Sequence, residues 1–144
     1  MTDKAGNMTV EEYRKVSHKI ASRRSPGTPH GDLIKSIVQN LVLIPGVMVI
    51  QHNTGALRGI GQGGKERLIR YGYPGMADLY VRVRPRGGAG FWRTIWMECK
   101  VAGDTQKPAQ VGFQASMEKC GDQYYIIRET EEALAIVRYV RGIE

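Results

Sequence analysis

The chain has 144 residues, a formal charge of +7, and 42% hydrophobic against 24% charged residues. That length suits a single domain with a real core, and that balance suits an ordinary globular protein. No apolar run is long enough to span a bilayer, since the longest, Leu41 to Ile50, is broken by Pro45-Gly46. Met1 to Asn7 lacks the apolar core of a secretory signal, so a cytoplasmic protein with no membrane partner is expected. Two thiols, Cys99 and Cys120, argue against a disulfide framework or a zinc site.

The charge is unevenly placed. Between Arg58 and Lys100 there are nine Lys/Arg against three acids, whereas the segment after Lys100 holds five basic and seven acidic residues. A basic middle with an acidic tail points to a polyanion met by one face, or to a solvated basic surface. Charge alone does not decide between them.

In chain order, Thr9 precedes Val10, Tyr13, Val16 and Ile20 at helical spacing, and Ser22 to Gly31 reads as a basic, Pro/Gly-rich linker. Asp32 is the expected cap of a helix carrying Leu33, Ile34, Ile37, Val38, Leu41 and Val42, stopped by Pro45-Gly46. Val47 to Gln51 reads as a β-branched strand, and Ala56 to Tyr73 as a glycine-rich hairpin with its tip at Gly61 to Glu66. Those glycines do not join a strand to a helix, so no nucleotide cofactor is expected.

Asp78 opens the next strand, with Leu79, Val81 and Val83 on one face and Asp78, Tyr80, Arg82 and Arg84 on the other. Pro85 to Gly90 turns the chain, and Trp92 to Lys100 pairs back antiparallel, with Glu98 and Lys100 on one side and Met97 and Cys99 on the other. Aligned polar faces would bring two carboxylates and an ammonium together, a set suited to a hard divalent cation. A helix follows from Lys107 or Pro108 to Gly121, then a strand, Gln123 to Arg128, and a final helix capped by Thr130. Taken singly, Asp78 reads as a turn residue and Glu98–Lys100 as an exposed cross-strand pair.

Taken together, Gly72-Tyr-Pro-Gly75-Met-Ala-Asp78, Met97-Glu98-Cys99-Lys100 and Pro108-Ala-Gln110 resemble the VRR-NUC (virus-type replication-repair nuclease) branch of the PD-(D/E)XK nucleases. The likeness extends from Gln51-His-Asn53-Thr-Gly55 to Gly121 and the strand beyond, over roughly residues 30 to 130. It implies an α/β fold with a restriction-endonuclease-like core, a mixed sheet of four to five strands flanked by helices. The domain would cover 30–144, after an N-terminal helix and basic linker at 1–29.

The resemblance implies a Mg²⁺- or Mn²⁺-dependent DNA endonuclease acting on branched or structured DNA. A standalone phage-type homodimer in a bacterial or infected cell is the implied setting. The alternative is an inactive nucleic-acid-binding protein, or a subunit of a replication or restriction complex. Asp78, Glu98, Lys100 and Gln110 match the family's catalytic positions, with Gln114 one turn from Gln110 as the competing glutamine. Asp78, Glu98 and the Cys99 main-chain carbonyl match the metal ligands. Asp32 is the nearest candidate for a further ligand from the first core helix, with His30 close by. Asn53, Arg58, Lys65, Arg67, Arg82, Arg84, Arg86, Arg93 and Lys107 are the expected DNA contacts, and Trp92 is placed to stack on a base.

Overall fold

A computed structural model describes residues 27–52, 55–87 and 90–142. The helix expected at Thr9 to Ile20, most of the basic linker, and Asn53 lie outside them. Among the described residues the chain is α/β, with a mixed four-stranded sheet flanked by three helices and a separate two-stranded hairpin.

The first helix, α1 (Pro29–Leu41), starts before the expected cap. Proline at the first helical position loses no intrahelical bond and already holds a helical φ. Thr28 Oγ1 accepts from Gly31 N–H at 3.1 Å, so Thr28 is the cap and Asp32 falls within the first turn. The end of the sequence expected as linker is therefore the first turn of a helix. Strand β1 (Val47–Gln51) follows, and the hairpin β2 (Gly55–Ile60) and β3 (Glu66–Tyr71) turns through a 3-10 segment, Gln62–Gly64, as its glycines suggest.

The main sheet has the order β1-β4-β5-β6, with β4 (Leu79–Val83) antiparallel to β1 and to β5 (Arg93–Cys99). Leu79 pairs with Met97, which sets Asp78 and Glu98 next to each other just beyond the paired stretch. Helix α2 (Pro108–Lys119) crosses over to β6 (Gln123–Ile127), which runs parallel to β5. Helix α3 (Thr130–Arg141) closes the chain; its cap is Glu129, because Thr130 Oγ1 instead donates to Ser36 Oγ of α1 at 2.8 Å.

Strand alternation divides the core. Leu79, Val81, Val83, Ile95, Met97 and Cys99 face one side, where they pack with Ile37 and Leu41 of α1 and Val137 of α3. Full burial of such side chains contributes about 1.5–3 kcal/mol each. On the opposite side, Trp96 and Tyr124 pack with Ala77 and Phe113, the last from α2. Trp96 meets Phe113 edge-on at 5.0 Å between ring centroids, and His52 stacks on Trp96 at 5.7 Å. His52 is thus packed among aromatics. No helix among the described residues is long and apolar enough to cross a membrane.

Candidate active site

The second sheet face ends in a polar cleft of about 280 Å³, whose lining includes His30, Asp78, Glu98, Lys100, Lys107 and Gln110. Four separate elements deliver these groups. Asp78 stands at the entry to β4, Glu98 near the end of β5, and Lys100 one residue past it, where its backbone N–H donates to Ile127 O at 2.9 Å. Gln110 sits in the first turn of α2, and His30 in the first turn of α1.

The docking of α2 depends on Gly75. Its φ of +77° is a left-handed conformation that favours glycine, and a Cβ there would overlap the carbonyl of Ala109. The turn before Asp78 therefore lies directly against the first turn of α2, one residue from Gln110. The spacing Gly75-x-x-Asp78 thus has a packing reason of its own.

Two hydrogen-bonded groups meet in the cleft. In the first, Asp78 Oδ2 accepts from Cys99 N–H at 2.8 Å and lies 3.3 Å from His30 Nε2, which is itself 3.0 Å from the Cys99 carbonyl oxygen. In the second, Lys100 Nζ lies 3.0 Å from Glu98 Oε1 and donates to Gln110 Oε1 at 3.0 Å. Gln110 Nε2 donates to the same Glu98 oxygen, and its Oε1 also accepts from Lys107 N–H at 2.8 Å. Gln110 thereby caps its own helix and ties the two strand residues to it. Gln114 turns elsewhere, accepting from Gln106 and donating to Glu118.

Among the described residues, Glu98 and Lys100 are the two buried charged ones, with 2% and 9% of their side chains exposed. Burial raises the Glu98 carboxyl above its ordinary value, the nearby Asp78 charge adds to that, and Lys100 opposes both. Its second oxygen, Oε2, is buried with no hydrogen-bond partner among the described residues. Burial, reinforced by Asp78 and Glu98, pushes the Cys99 thiol up to about 12, which favours the protonated form.

Among the described residues no three His, Cys, Asp or Glu side chains come together as a metal-holding group. His30 and Asp78 meet each other, while Glu98 is drawn to Lys100 and Gln110. The donor set nevertheless fits a hard cation: two carboxylates, one of them with a buried oxygen that has no partner among the described residues, and a main-chain carbonyl.

The structure separates the remaining expected site residues. Asp32 does not line the cleft; its carboxylate lies beside Gly27, and His30 is the residue that α1 contributes. Helical spacing explains the exchange, because Pro29 starts the helix early and turns residue 30 toward the sheet. Lys107 lines the cleft. Arg58 lies in β2, Lys65 at the hairpin turn and Arg67 in β3. Arg82 sits 5.7 Å over the ring of the exposed Trp92, a cation–π contact on one face of it. Arg84, Arg86 and Arg93 lie at the other end of β4 and β5, since Val83 pairs with Arg93. Six residues separate Asp78 from Arg84, roughly 20 Å along a strand.

Asp104 and Thr105 also line the cleft; the sequence does not single them out, as they fall between Lys100 and the next helix. Arg128 holds that turn, donating to the carbonyls of Val101 and Asp104 at 3.1 Å each. Comparison with protein-family models, curated proteins and solved structures finds no match to this chain.

Proposed function

We infer that the chain is a divalent-metal-dependent endonuclease that hydrolyses phosphodiester bonds in DNA, with a restriction-endonuclease-like core of the VRR-NUC type. The observation that carries this reading is the meeting of Asp78, Glu98, Lys100 and Gln110 in one cleft, with a buried Glu98 oxygen left unpartnered. Asp78, Glu98 and the Cys99 carbonyl would hold Mg²⁺ or Mn²⁺, with the His30 imidazole as a further donor facing the same two partners. When bound, such an ion polarises a phosphoryl oxygen and makes an adjacent water more acidic.

The chain's own residues supply the rest. The Lys100 ammonium offsets negative charge that grows on the phosphate oxygens in the transition state. Gln110 does not titrate, so its part is to fix Lys100 and Glu98 in place and to orient water or phosphate by hydrogen bonding. Asp78, anchored by the Cys99 amide, keeps one carboxylate oxygen oriented. Lys107, at the cleft rim, is suited to a flanking phosphate. Branched or structured DNA and a homodimer are parts of the reading that rest on the family resemblance.

A second reading, a catalytically silent DNA-binding protein or complex subunit of the same fold, is favoured by one observation: Lys100 is already paired with one Glu98 oxygen. Cleavage of flap, fork, four-way-junction and plain duplex DNA with Mg²⁺, Mn²⁺ or EDTA separates the two. The nuclease reading expects cutting that EDTA stops and that Asp78→Ala and Lys100→Ala abolish. Metal-independent cutting, or full activity in both variants, refutes it.

A further inference from the structure

A second cleft, of about 330 Å³, lies at the opposite end of β4 from Asp78 and is lined by Gly46, Arg84, Pro85, Arg86, Gly87 and Arg141. Three of its six lining residues are arginines and none is acidic. Backbone bonds build it: Arg84 N–H donates to Gly46 O at 2.8 Å, and Arg86 N–H donates to Arg141 O at 2.9 Å. These straps bring the β4 exit against the residues after α1 and against the last turn of α3. Gly46, with φ +76°, leaves open a place where a side chain would stand 3.6 Å from Arg141 Nε.

Arg141 Nε is buried and has no hydrogen-bond partner among the described residues. A buried guanidinium N–H without an acceptor is costly, and an anion is the ligand that satisfies it best. Arg128 shows the contrast, since its guanidinium is committed to two main-chain carbonyls. Arginines from two segments, Arg84 and Arg86 at the exit of β4 and Arg141 at the end of α3, line one cleft, and planar guanidinium forks suit the oxygens of a phosphate.

We propose that the cleft of Arg84, Arg86 and Arg141 binds a phosphate group of a nucleic-acid strand, at a site distinct from the Asp78 cleft. The assignment to a strand rests on the nuclease reading, because DNA is then the polyanion already at hand. The separation of roughly 20 Å along β4 lies well within a 20-base-pair duplex, which is about 68 Å long at about 3.4 Å per step.

The test measures binding in EDTA, so that it does not depend on cleavage. The wild-type chain, Arg84→Gln/Arg141→Gln and Arg86→Gln are titrated with a labelled 20-base-pair duplex over a range of salt, and separately with inorganic phosphate followed through arginine Nε–H resonances. Arg138→Gln removes one charge from the same end of α3 without touching the cleft and serves as the control. The straps use main-chain atoms, so the variants keep them, and Arg86→Gln stands in if the double variant does not fold.

The expected result is duplex affinity lowered by about tenfold or more in the double variant. Its log–log salt slope should fall by about two, or by about one for Arg86→Gln, while Arg138→Gln moves neither. Affinity and slope equal to the control overturn the proposal. Loss of phosphate-induced resonance shifts with unchanged duplex binding overturns the strand assignment, showing a free-phosphate site. Lowered duplex binding in a protein that never cuts DNA supports the cleft while refuting the nuclease reading, so the two failures are distinguishable.

Discussion

Replacing Lys100 with methionine tests the physics of the site without any substrate. The Lys100 and Glu98 side chains are 9% and 2% exposed and approach to 3.0 Å, so removing the ammonium strands a carboxylate in the interior. Breaking such a pair from one side costs about 3–5 kcal/mol, a fall of roughly 10–20 °C in melting temperature for a chain of this size. The cost has a pH sign. The Glu98 carboxyl is already raised above 4.5, by burial first and then by Asp78, and Lys100 is what pulls it back. Without Lys100 the folded-state value rises further. A carboxyl whose folded value exceeds its unfolded one contributes stability below the unfolded value, and loses it as pH rises through the folded value, at about 1.36 kcal/mol per unit. The deficit of Lys100→Met relative to wild type should therefore be small at pH 5 and largest at pH 8. Urea unfolding of both proteins in EDTA at the two pH values measures it. A deficit below about 1 kcal/mol at pH 8, or one that is equal at both, refutes the argument.

Other outcomes follow from the same geometry. Mg²⁺ or Mn²⁺ at a hundred times its dissociation constant should stabilise the wild type by about 2.7 kcal/mol in calorimetry and leave Asp78→Asn unshifted; equal shifts would remove Asp78 from the ligand set. Gly75→Ala should cost more than Gly103→Ala by about 1–3 kcal/mol in chemical unfolding. Both place alanine at positive φ, but only Gly75 meets backbone, and equal losses would refute the contact. Gln110→Ala should lower the cleavage rate about 10²-fold while Gln114→Ala leaves it within about twofold; comparable losses would show that the helix face is misassigned.

Much of this arrangement could be read from the sequence because strands obey a period of two. Alternation alone assigned Leu79, Val81 and Met97 to the core, and Glu98 with Lys100 to the other face. The order of elements was legible for the same reason, with Pro45-Gly46 and the glycines of the hairpin as punctuation. Periodicity gives a face but not a position along it, which is why Arg84, expected on the face of Asp78, and Arg86, expected in the turn beyond it, lie far from Asp78. Caps were harder. Asp32 and Thr130 are good capping residues by type, but Thr28 precedes a proline, and Thr130 had a partner on another helix that local sequence does not reveal. His30 reached the cleft only because the helix began three residues before Asp32. Arg141 carried no signal, since its cleft is made of residues brought together from three separate parts of the chain.

The grip of Arg128 on Val101 and Asp104 has a consequence for whatever enters beside Lys100. One wall is fixed by the side chain of the residue just past β6, at the end of that strand that lies beside Lys100. An incoming ligand therefore finds a finished contour and does not have to freeze a wandering loop, so little of its contact energy is lost to ordering.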